Sequence, residues 1–451
     1  MTGKSGRLAG TTVVVLGDRN EAGPPGLGAS TPLDDRTLAG HVFAALADER
    51  PDRIVLVTDR DGPPGADLPP VAVTGELAGV LGGDEPSHTV LVVRGNAPLL
   101  TADTLHLLLD RRDGAEVALL SGKPAGPYRD WVERHGAELV AADAADFQVG
   151  AYAFAAAAFE GAVGGLVPMT ESPGDPLAAL VRRLGDAGRR IVAVEPVDWR
   201  DALTVDDPVS LAFARREVAE RLVRRWMLGG VTVLDPRTTW IGPDVVLEPG
   251  VTLLPNVRLT GRTTVGAGCV VGPDVSLDGT AVGADTRIRS ATCEQAVIGA
   301  RSSVGPYAFL RGGTHAGDEV VAGAFVEIKG TRIGAGTRIS HFACVIDGVI
   351  GERANFAAFT GLANFDGARK QSAVLGRDVT VASGTAIVAP ARLGDGACTA
   401  AGAIVVRDVP PGALAISRAK QTNVDGWTES RFPGSRAAES ARLASGETTQ
   451  R

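Results

Sequence analysis

A histidine and three cationic side chains are the residues of this sequence whose types best suit group-transfer chemistry. His341 stands in the segment Ile339-Ser-His-Phe-Ala-Cys, and an imidazole takes up and releases a proton near neutral pH. Arg311, Lys329 and Lys370 carry the guanidinium and ammonium groups that hold phosphate when they converge. Taken alone, such a histidine is more often packed or solvated, and such cations more often cover a solvated face. Chemistry therefore requires elements that bring these residues together.

A six-residue period supplies such elements. Aliphatic or small residues recur at Ile298, Val304, Leu310, Ala316, Ala322 and Ile328, and glycine follows at positions 299, 305, 317 and 323. This period is neither helical nor the alternation of an isolated strand. It is typical of a left-handed parallel β-helix, in which three short strands form one triangular coil. Further hexads run from Val265 to Leu393, and their phase breaks at 365–372, where we expect a loop that leaves the prism.

Strands and helices alternate in the first half of the chain. Segments such as Thr12–Leu16, Arg53–Val57 and Thr89–Val93 have the character of buried strands, and Thr101 is expected to cap a helix. The pattern predicts an open, mostly parallel α/β sheet over residues 1–207. A helix over 208–230 is expected to connect it to a β-helix over 231–430. The polar segment 431–451 is predicted to be a disordered tail.

Composition and charge exclude several classes of protein. The chain has 451 residues and a formal net charge of −8, which argues against nucleic acid as a partner. Its four cysteines contain no CxxC pair, so neither a disulfide framework nor a zinc site is predicted. No segment has the length and character of a signal peptide or of a membrane span. We expect a cytoplasmic protein that does not contact a membrane.

Specific motifs then indicate one family. Between Arg225 and Trp427 the chain resembles the bacterial bifunctional enzymes that acetylate glucosamine-1-phosphate and uridylylate the product to UDP-N-acetylglucosamine. The resemblance rests on Met227-Leu-Gly-Gly-Val-Thr-Val-Leu-Asp-Pro, Phe325-Val-Glu-Ile-Lys, Asn364-Phe-Asp-Gly and Ala415-Ile-Ser-Arg. In the first half it rests mainly on Arg94-Gly-Asn-Ala-Pro-Leu-Leu, in a domain of the nucleotidyltransferase-like class. It implies an N-acetyltransferase that uses acetyl-CoA as the acyl donor and forms a homotrimer.

The resemblance also implies a role for each candidate residue. His341 matches the family's catalytic base, and Glu327 matches a carboxylate that the family places near it. The positions that bind the acceptor match Arg311, Lys329, Asn355, Lys370 and Cys344. The positions that contact acetyl-CoA match Asn364, Phe365, Ser383, Ala401 and Arg418. The retained cations predict a small-molecule amine that carries an anionic group, most simply an amino-sugar phosphate.

Two departures from the family pattern bear on the acceptor. Cys344 stands where the family has a tyrosine, and a thiol neither reaches as far nor donates as strongly. The family's glycine-rich segment is replaced by Phe356-Ala-Ala-Phe-Thr-Gly, and we expect Phe356 and Phe359 to lie beside the pocket. These changes leave open an unusual amine of a specialised pathway as the acceptor. An acetyl-enzyme formed on Cys344 is a further alternative, disfavoured because the residue lies on a packed strand.

The first half departs from the family's phosphate-binding motifs. After Leu16 the chain reads Gly-Asp-Arg-Asn-Glu-Ala-Gly-Pro-Pro-Gly, with prolines and acids in place of a basic glycine-rich loop, and Thr31-Pro-Leu-Asp-Asp adds acid. The uracil-binding segment is missing near Val73. The family's metal-binding aspartate and asparagine match Asn96 and Asp206, an exchange that could conserve one carboxylate. We nevertheless predict that no metal site remains, magnesium included.

The sequence therefore predicts an acetyl-CoA-dependent N-acetyltransferase whose nucleotidyltransferase-like domain is inactive. One rival hypothesis is a fully bifunctional enzyme that still makes UDP-N-acetylglucosamine. Another is a trimeric binding scaffold without catalysis. Pyrophosphate release from UTP would favour the first rival, and a lack of CoA release with any amine would favour the second.

Overall fold

The computed structural model describes residues 8, 10–17, 29–47, 49, 51–57, 72–74, 89–121, 148–163, 176–418 and 420–445. The chain packs as two compact units, Met1–Arg301 and Ser302–Arg451. The boundary between them falls within the run of hexads, so the domain limits drawn from the sequence remain a prediction. Two segments on which the sequence analysis relied lie outside the described residues: 18–28, which replaces the phosphate-binding loop, and 75–88, near the expected uracil-binding segment.

A seven-stranded sheet forms the centre of the α/β part of the first unit. Its strand order is β3-β2-β1-β4-β6-β5-β7. Only β6 runs antiparallel to its neighbours β4 and β5, which confirms the prediction of an open, mostly parallel sheet. The strands are β1 (Thr11–Leu16), β2 (Arg53–Val57), β3 (Ala72–Thr74), β4 (Thr89–Arg94), β5 (Val117–Ser121), β6 (Gln148–Ala155) and β7 (Ile191–Val194).

Helices cover this sheet, and polar residues set where they begin. Thr101 accepts a hydrogen bond from the backbone N–H of Thr104, which confirms it as the cap of α2. The connecting helix α5 begins with a capping box at Asp207 followed by Pro208, and Gly229 caps its end. The helices are α1 (Leu38–Leu46), α2 (Ala102–Arg111), α3 (Ala156–Val163), α4 (Pro176–Asp186) and α5 (Pro208–Leu228).

Short parallel strands follow α5 within the first unit. They pair coil on coil, for example Val257 with Val275 and Leu277 with Cys293. The strands are β8 (Thr232–Val233), β9 (Trp240–Ile241), β10 (Val246–Leu247), β11 (Thr252–Leu253), β12 (Val257–Thr260), β13 (Thr264–Val265), β14 (Val270–Val271), β15 (Val275–Asp278), β16 (Ala281–Val282), β17 (Arg287–Ile288), β18 (Thr292–Glu294) and β19 (Val297–Ile298).

The second unit is a left-handed parallel β-helix with two longer strands, β23 and β25. Val304, Leu310, Ala322 and Ile328 are at most 3% exposed, so the hexad positions fill the prism as predicted. The strands are β20 (Ser303–Val304), β21 (Phe309–Leu310), β22 (His315–Ala316), β23 (Val321–Lys329), β24 (Arg332–Ile333), β25 (Arg338–Ile346), β26 (Gly348–Ile350), β27 (Asn355–Phe356), β28 (Thr360–Ala363), β29 (Ala373–Leu375), β30 (Thr380–Val381), β31 (Ala386–Val388), β32 (Arg392–Leu393), β33 (Cys398–Thr399), β34 (Ile404–Val405) and β35 (Leu414–Ala415).

Two features interrupt or follow these coils. A hairpin closes where Phe365 bridges Lys370, within the predicted loop. The prediction of a disordered tail is wrong for the helix α7 (Arg436–Ala444), which follows α6 (Trp427–Arg431). Ser435 caps α7 through the backbone N–H of Ala438, and the burial of that alanine gives the segment a reason to fold. None of the helices in the described ranges is long and apolar enough to cross a membrane.

Candidate active sites

The coil register brings most of the acceptor-binding candidates together in the second unit. On neighbouring parallel strands, Phe309 pairs with Glu327, and Glu327 pairs with Cys344. One residue further along, Leu310 pairs with Ile328, so Arg311 and Lys329 occupy the same position of successive coils. Adjacent strands lie about 4.8 Å apart. The two cationic side chains therefore start from neighbouring points of one face.

His341 lies on the same strand as Cys344 but before the corner that Phe342 makes. It pairs in register with Ala324, and both His341 and Cys344 are exposed. The His341 ring stands edge-on to the Phe342 ring, with centroids 6.4 Å apart. Arg311 and Lys329 lie on the face that follows this corner, and His341 lies on the face that precedes it. The exposed imidazole is accessible to an acceptor amine, as a general base requires.

Glu327 makes its ion pair with Arg311. The Arg311 Nη1 donates to Glu327 Oε1 at 2.9 Å, and both side chains are nearly 40% exposed. The described hydrogen bonds and ion pairs do not include one between Glu327 and His341, so orientation of the imidazole by this carboxylate remains a prediction. The contact that the structure does show holds the Arg311 guanidinium in place.

The Cys344 thiol lies beside this ion pair. Partial burial raises the pKa of Cys344, the Glu327 carboxylate raises it further, and Arg311 acts in the opposite direction. The thiol is therefore less ionised at neutral pH than a free cysteine. The Cys344 side chain is exposed, so packing of the strand does not disfavour an acetyl-cysteine intermediate as expected, but the raised pKa of the thiol does.

A hairpin carries Lys370 and the two residues assigned to acetyl-CoA that precede it. Asn364 donates to the Asp347 carboxylate at 2.7 Å, and Gln371 donates its backbone N–H to the Asn364 carbonyl. The Asp366 carboxylate accepts from the backbone N–H groups of Ala368 and Arg369. These bonds fix the base of the hairpin. Phe365 and Lys370, which face each other across it, are exposed.

The other candidates lie on later coils of the second unit. Arg418 donates from Nη1 to the Ala401 carbonyl at 3.4 Å, so these two candidates are adjacent. Ser383 uses its carbonyl to accept from the Gly402 backbone N–H. Asn355 is exposed and pairs in register with Arg338, which stands three residues before His341 on β25. Sequence reasoning missed Asp347, although a carboxylate one coil before Asn364 follows from the coil length.

The two phenylalanines expected beside the pocket have different places. Phe356 is 1% exposed and fills the prism, because it occupies a hexad position. Phe359 is 69% exposed and stacks on Phe342 with centroids 5.1 Å apart. The expectation that both rings lie beside the pocket is therefore wrong for Phe356. Phe359 stacks on Phe342, the residue that directly follows His341.

A second candidate site lies in the first unit, where the sheet order reverses between β1 and β4. Ligands of open α/β sheets bind at the carboxyl ends of strands at such a point. Asn96 follows β4, and its Nδ2 donates to Asp206 Oδ1 at 2.9 Å and to the Val205 carbonyl at 3.2 Å. Thr204 donates to the other Asp206 oxygen at 2.7 Å. The amide and the carboxylate thus stand together, and neither is fully buried.

The acidic residues of the segment Thr31-Pro-Leu-Asp-Asp contact other parts of the first unit. Asp34 accepts from the His41 ring at 2.9 Å, and Asp35 accepts from the Gly261 backbone N–H at 2.8 Å. Arg36 pairs with Asp244 at 2.5 Å. These acids therefore connect α1 and the first coils of the unit. Their carboxylates are bound by donors of the protein, so their presence does not argue against a phosphate site.

The fold and the two sites define a class: a nucleotidyltransferase-like α/β domain followed by a left-handed β-helix of hexapeptide repeats. The chain belongs to the GlmU family. It is 37% identical to the bifunctional protein GlmU of Clavibacter sepedonicus over 93% of this chain and 89% of that protein. It is 34% identical to the bifunctional protein GlmU of Mycobacterium tuberculosis over 96% and 95% of the two chains.

Solved structures overlap the chain at low similarity. The 2-C-methyl-D-erythritol 4-phosphate cytidylyltransferase of Thermus thermophilus covers 47% of this chain and 98% of its own, with 18% identity and a TM-score of 0.33. No family model matches the sequence.

The relatives correct the prediction of an inactive α/β domain. Proteins that match this chain over more than nine-tenths of its length are named as bifunctional, which supports the rival hypothesis of two activities. The prediction rested on altered side-chain motifs and on prolines that lack a backbone N–H, and these do not account for the other backbone N–H groups of such a loop. Backbone N–H groups do much of the work in such loops. The acids counted against phosphate at residues 34 and 35 are committed to other contacts.

Proposed function

We propose that the chain acetylates glucosamine-1-phosphate with acetyl-CoA and then uridylylates the product with UTP to give UDP-N-acetylglucosamine. The observation that carries the acetylation step is the register of the second unit. It sets Arg311 and Lys329 on successive coils of one face, next to the strand that bears His341. Membership of the GlmU family supports the pairing of both activities in one chain.

In the acetylation step His341 acts as the general base. It takes a proton from the acceptor ammonium, and the freed amine attacks the thioester carbonyl. As the tetrahedral intermediate collapses, the C–S bond breaks, the CoA thiolate takes the proton held by His341, and the nitrogen loses its second proton to water. Backbone N–H groups stabilise the oxyanion in this proposal. No acyl-cysteine intermediate is required, in keeping with the raised pKa of Cys344.

Arg311, Lys329 and Lys370 hold the acceptor phosphate in this proposal. The ion pair with Glu327 keeps the Arg311 guanidinium oriented before the acceptor arrives. Lys370 is displayed on a hairpin whose base is fixed by hydrogen bonds, so its ammonium is carried to one side of the prism face. A set of fixed cations favours a dianionic phosphate over a neutral sugar.

Acetyl-CoA contacts are assigned to Asn364, Phe365, Ser383, Ala401 and Arg418. Arg418, next to Ala401, supplies a cation for the phosphates of the cofactor. We also propose a homotrimer, in which the exposed hairpin that bears Lys370 meets the site of a neighbouring chain.

The first unit carries the uridylylation step in this proposal. Magnesium commonly uses one or two carboxylates together with substrate phosphates and water. Asp206 offers one carboxylate, and the Asn96 amide beside it offers an oxygen once its side chain turns. The donor set therefore fits magnesium, which when bound would neutralise the triphosphate. Thr204 holds the Asp206 carboxylate in place, whereas turning the Asn96 amide would break its hydrogen bonds to Asp206 and to the Val205 carbonyl.

Two separate assays test the proposal. CoA release is measured with glucosamine-1-phosphate and acetyl-CoA, and pyrophosphate release is measured with UTP, N-acetylglucosamine-1-phosphate and magnesium. We expect His341→Ala to abolish only CoA release and Asp206→Ala to abolish only pyrophosphate release, so each variant is the control for the other. Wild-type protein that releases no pyrophosphate would overturn the uridylylation half. CoA release that persists in His341→Ala would overturn the assignment of the base.

A further inference from the structure

Three residues of successive coils form a column at the corner that follows Lys329. Lys329 pairs in register with Ile346, so the residues after them, Gly330 and Asp347, lie at the same corner. The backbone N–H of Asp347 donates to the Lys329 carbonyl at 2.9 Å. Asn364 belongs to the next coil, and its side chain reaches back to Asp347. We call Gly330, Asp347 and Asn364 the corner column.

The Asp347 carboxylate is confined between the other two members of the corner column. A Cβ added at Gly330 would lie 2.6 Å from Asp347 Oδ1, so this oxygen occupies the room that the glycine leaves. The φ angles of Gly330 and Asp347 are 57° and 53°, in the left-handed region that glycine and aspartate enter more readily than other residues. On the other side, Asp347 Oδ2 accepts from Asn364 Nδ2 at 2.7 Å. The carboxylate is therefore held from both sides.

This carboxylate decides which way the Asn364 amide faces. An ionised carboxylate only accepts hydrogen bonds, so it faces the amide nitrogen, and Asn364 Oδ1 points away from it. The backbone at Asn364 is fixed as well, because its carbonyl accepts from the Gln371 backbone N–H at 2.7 Å. Within the described ranges no hydrogen bond to Asn364 Oδ1 is made, and the residue is only partly exposed. An oriented amide oxygen without a donor is suited to accept an N–H from a bound substrate.

Two N–H donors enter the proposed acetyl-transfer site: the amide of acetyl-CoA closest to the thioester, and the ammonium of the acceptor. The ammonium must reach His341, because that residue takes its proton. Within one chain His341 precedes the Phe342 corner, and the face 343–346 separates that corner from Asp347. At about 3.3 Å for each residue, this face spans roughly 13 Å. The geometry therefore favours the acetyl-CoA amide as the donor to Asn364.

We propose that Asp347 is a positioning residue for acetyl-CoA: it turns the Asn364 amide so that the amide oxygen accepts the N–H closest to the thioester. This inference rests on the proposed function, which assigns Asn364 to acetyl-CoA. Asp347 itself touches neither substrate. Its role predicts a loss of affinity for acetyl-CoA with little change in kcat, because proton transfer to His341 does not depend on it.

The test removes the carboxylate and then exchanges the two partners. Asp347→Gly keeps the left-handed φ and removes the acceptor, and Asn364→Asp sets two carboxylates against each other. In the exchange variant, Asp347→Asn/Asn364→Asp, the amide donates to the carboxylate, whose second oxygen still accepts an N–H. The matched control is Asp274→Gly, a left-handed corner of the first unit where the carboxylate accepts from Asn256 at 2.9 Å. Calorimetry gives the dissociation constant of acetyl-CoA, and CoA release gives kcat and the KM for glucosamine-1-phosphate.

We expect Asp347→Gly and Asn364→Asp to bind acetyl-CoA about tenfold more weakly than the wild type, as the loss of one hydrogen bond implies. The exchange variant and Asp274→Gly should bind it within about threefold of the wild type, because the donor finds its acceptor in both. The kcat of Asp347→Gly should change by less than about threefold, and its melting temperature should match that of Asp274→Gly. If Asn364→Asp does not fold, the contrast between Asp347→Gly and the exchange variant decides.

Wild-type affinity for acetyl-CoA in Asp347→Gly would overturn the proposal, and so would a folded exchange variant that binds acetyl-CoA as weakly as Asp347→Gly. A rise confined to the KM for glucosamine-1-phosphate would also overturn it, because Asp347 would then act only through the hairpin that bears Lys370. A wild type that binds acetyl-CoA but releases no CoA would instead overturn the acetylation function. The dissociation constants of the variants would still decide the role of Asp347.

Discussion

His341 is exposed on β25, so its replacement removes an ionisable group without opening a cavity. We expect His341→Gln to lower the rate of CoA release by roughly 10²- to 10⁴-fold, the usual loss when a general base is removed. The melting temperature and pyrophosphate release should stay at wild-type values. Parallel kinetics of both reactions check this, and a variant with an unchanged kcat would contradict the role of His341 as base.

Cys344 offers a test that depends on pH. Because partial burial and the Glu327 carboxylate raise the pKa of its thiol, the thiolate is scarce at neutral pH and increases only at more alkaline pH. Cys344→Ser should therefore keep CoA release within about a factor of three of the wild type. Alkylation of the residue by iodoacetamide, followed by mass spectrometry, should be slow at pH 7 and still accelerate above pH 9. Rapid alkylation at pH 7 would show an activated thiol.

The candidate site could be predicted from sequence only where a motif marks the position. His341 stands in such a motif, and its exposed place on β25 suits the assigned role. The pairing of Glu327 with Arg311 could not be predicted, because it depends on which residues of successive coils lie opposite each other. Phe356 shows the converse error: its hexad position already required a buried side chain, and that pattern should have outweighed its closeness to the site in sequence.

At the scale of elements, α5 is tied to the start of α2 through a buried carboxylate. Asp201 is 4% exposed, accepts from the hydroxyls of Thr101 and Thr104, and pairs with Arg221 of α5 at 2.9 Å. Asp201→Ala leaves these donors without their acceptor and should lower the free energy of unfolding by about 3 kcal/mol. Urea denaturation measures the loss. Asp198→Ala, which removes a 40% exposed partner of the same arginine, should cost less than about 1 kcal/mol.

The hairpin that displays Lys370 depends on Asp366. Backbone N–H groups of Arg369 and Ala368 lower the pKa of Asp366 below its usual value of 3.8. A lowered folded-state pKa means that the carboxylate stabilises the hairpin above the ordinary pKa, and this contribution is lost as the pH falls through the folded value. We expect Asp366→Ala to raise the KM for the acceptor more than it lowers kcat, because Lys370 is less well positioned. Steady-state kinetics at pH 7.5 test this. Gln371→Ala, which removes one donor to the Asp366 carboxylate, serves as a milder comparison.

At the scale of the whole molecule, the two proposed sites act on different substrates and are built from different units. A mixture of His341→Ala and Asp206→Ala should therefore convert glucosamine-1-phosphate, acetyl-CoA and UTP to UDP-N-acetylglucosamine, because the acetylated intermediate diffuses between molecules. Each variant alone should form none. Chromatography measures the nucleotide products. We expect a lag before UDP-N-acetylglucosamine appears, because the acetylated intermediate must first accumulate. A mixture that stays inactive would mean that the intermediate is not released.

The overall architecture could be predicted from the sequence more reliably than the short elements at its end. Continuous apolar strands that alternate with helices predict the α/β sheet, and the six-residue period predicts the prism, because burial of side chains enforces both patterns over many residues. The tail illustrates what such periods miss: α7 is only nine residues long, and a single buried alanine with a serine cap was too little pattern to predict it. The prediction of a lost activity treated departures from the family's motifs as loss of the site, and it is corrected by relatives that match over most of the chain and are named as bifunctional.

The coil register that aligns these side chains also restricts how such a chain can evolve in length. Phe325, Phe342 and Phe359 recur at equal intervals because each coil must return to the same corner. Insertion or deletion of one residue within a strand would turn the next core side chain outward. The paired positions Phe309 and Glu327, Glu327 and Cys344, and Ala281 and Val297 are 18, 17 and 16 residues apart, so the corners absorb single-residue differences. A change of a whole coil, or growth at a corner such as the Phe365–Lys370 hairpin, would leave the rest in phase. Length variation among relatives should therefore be found in whole coils and in corner loops, with the residues between them conserved in spacing.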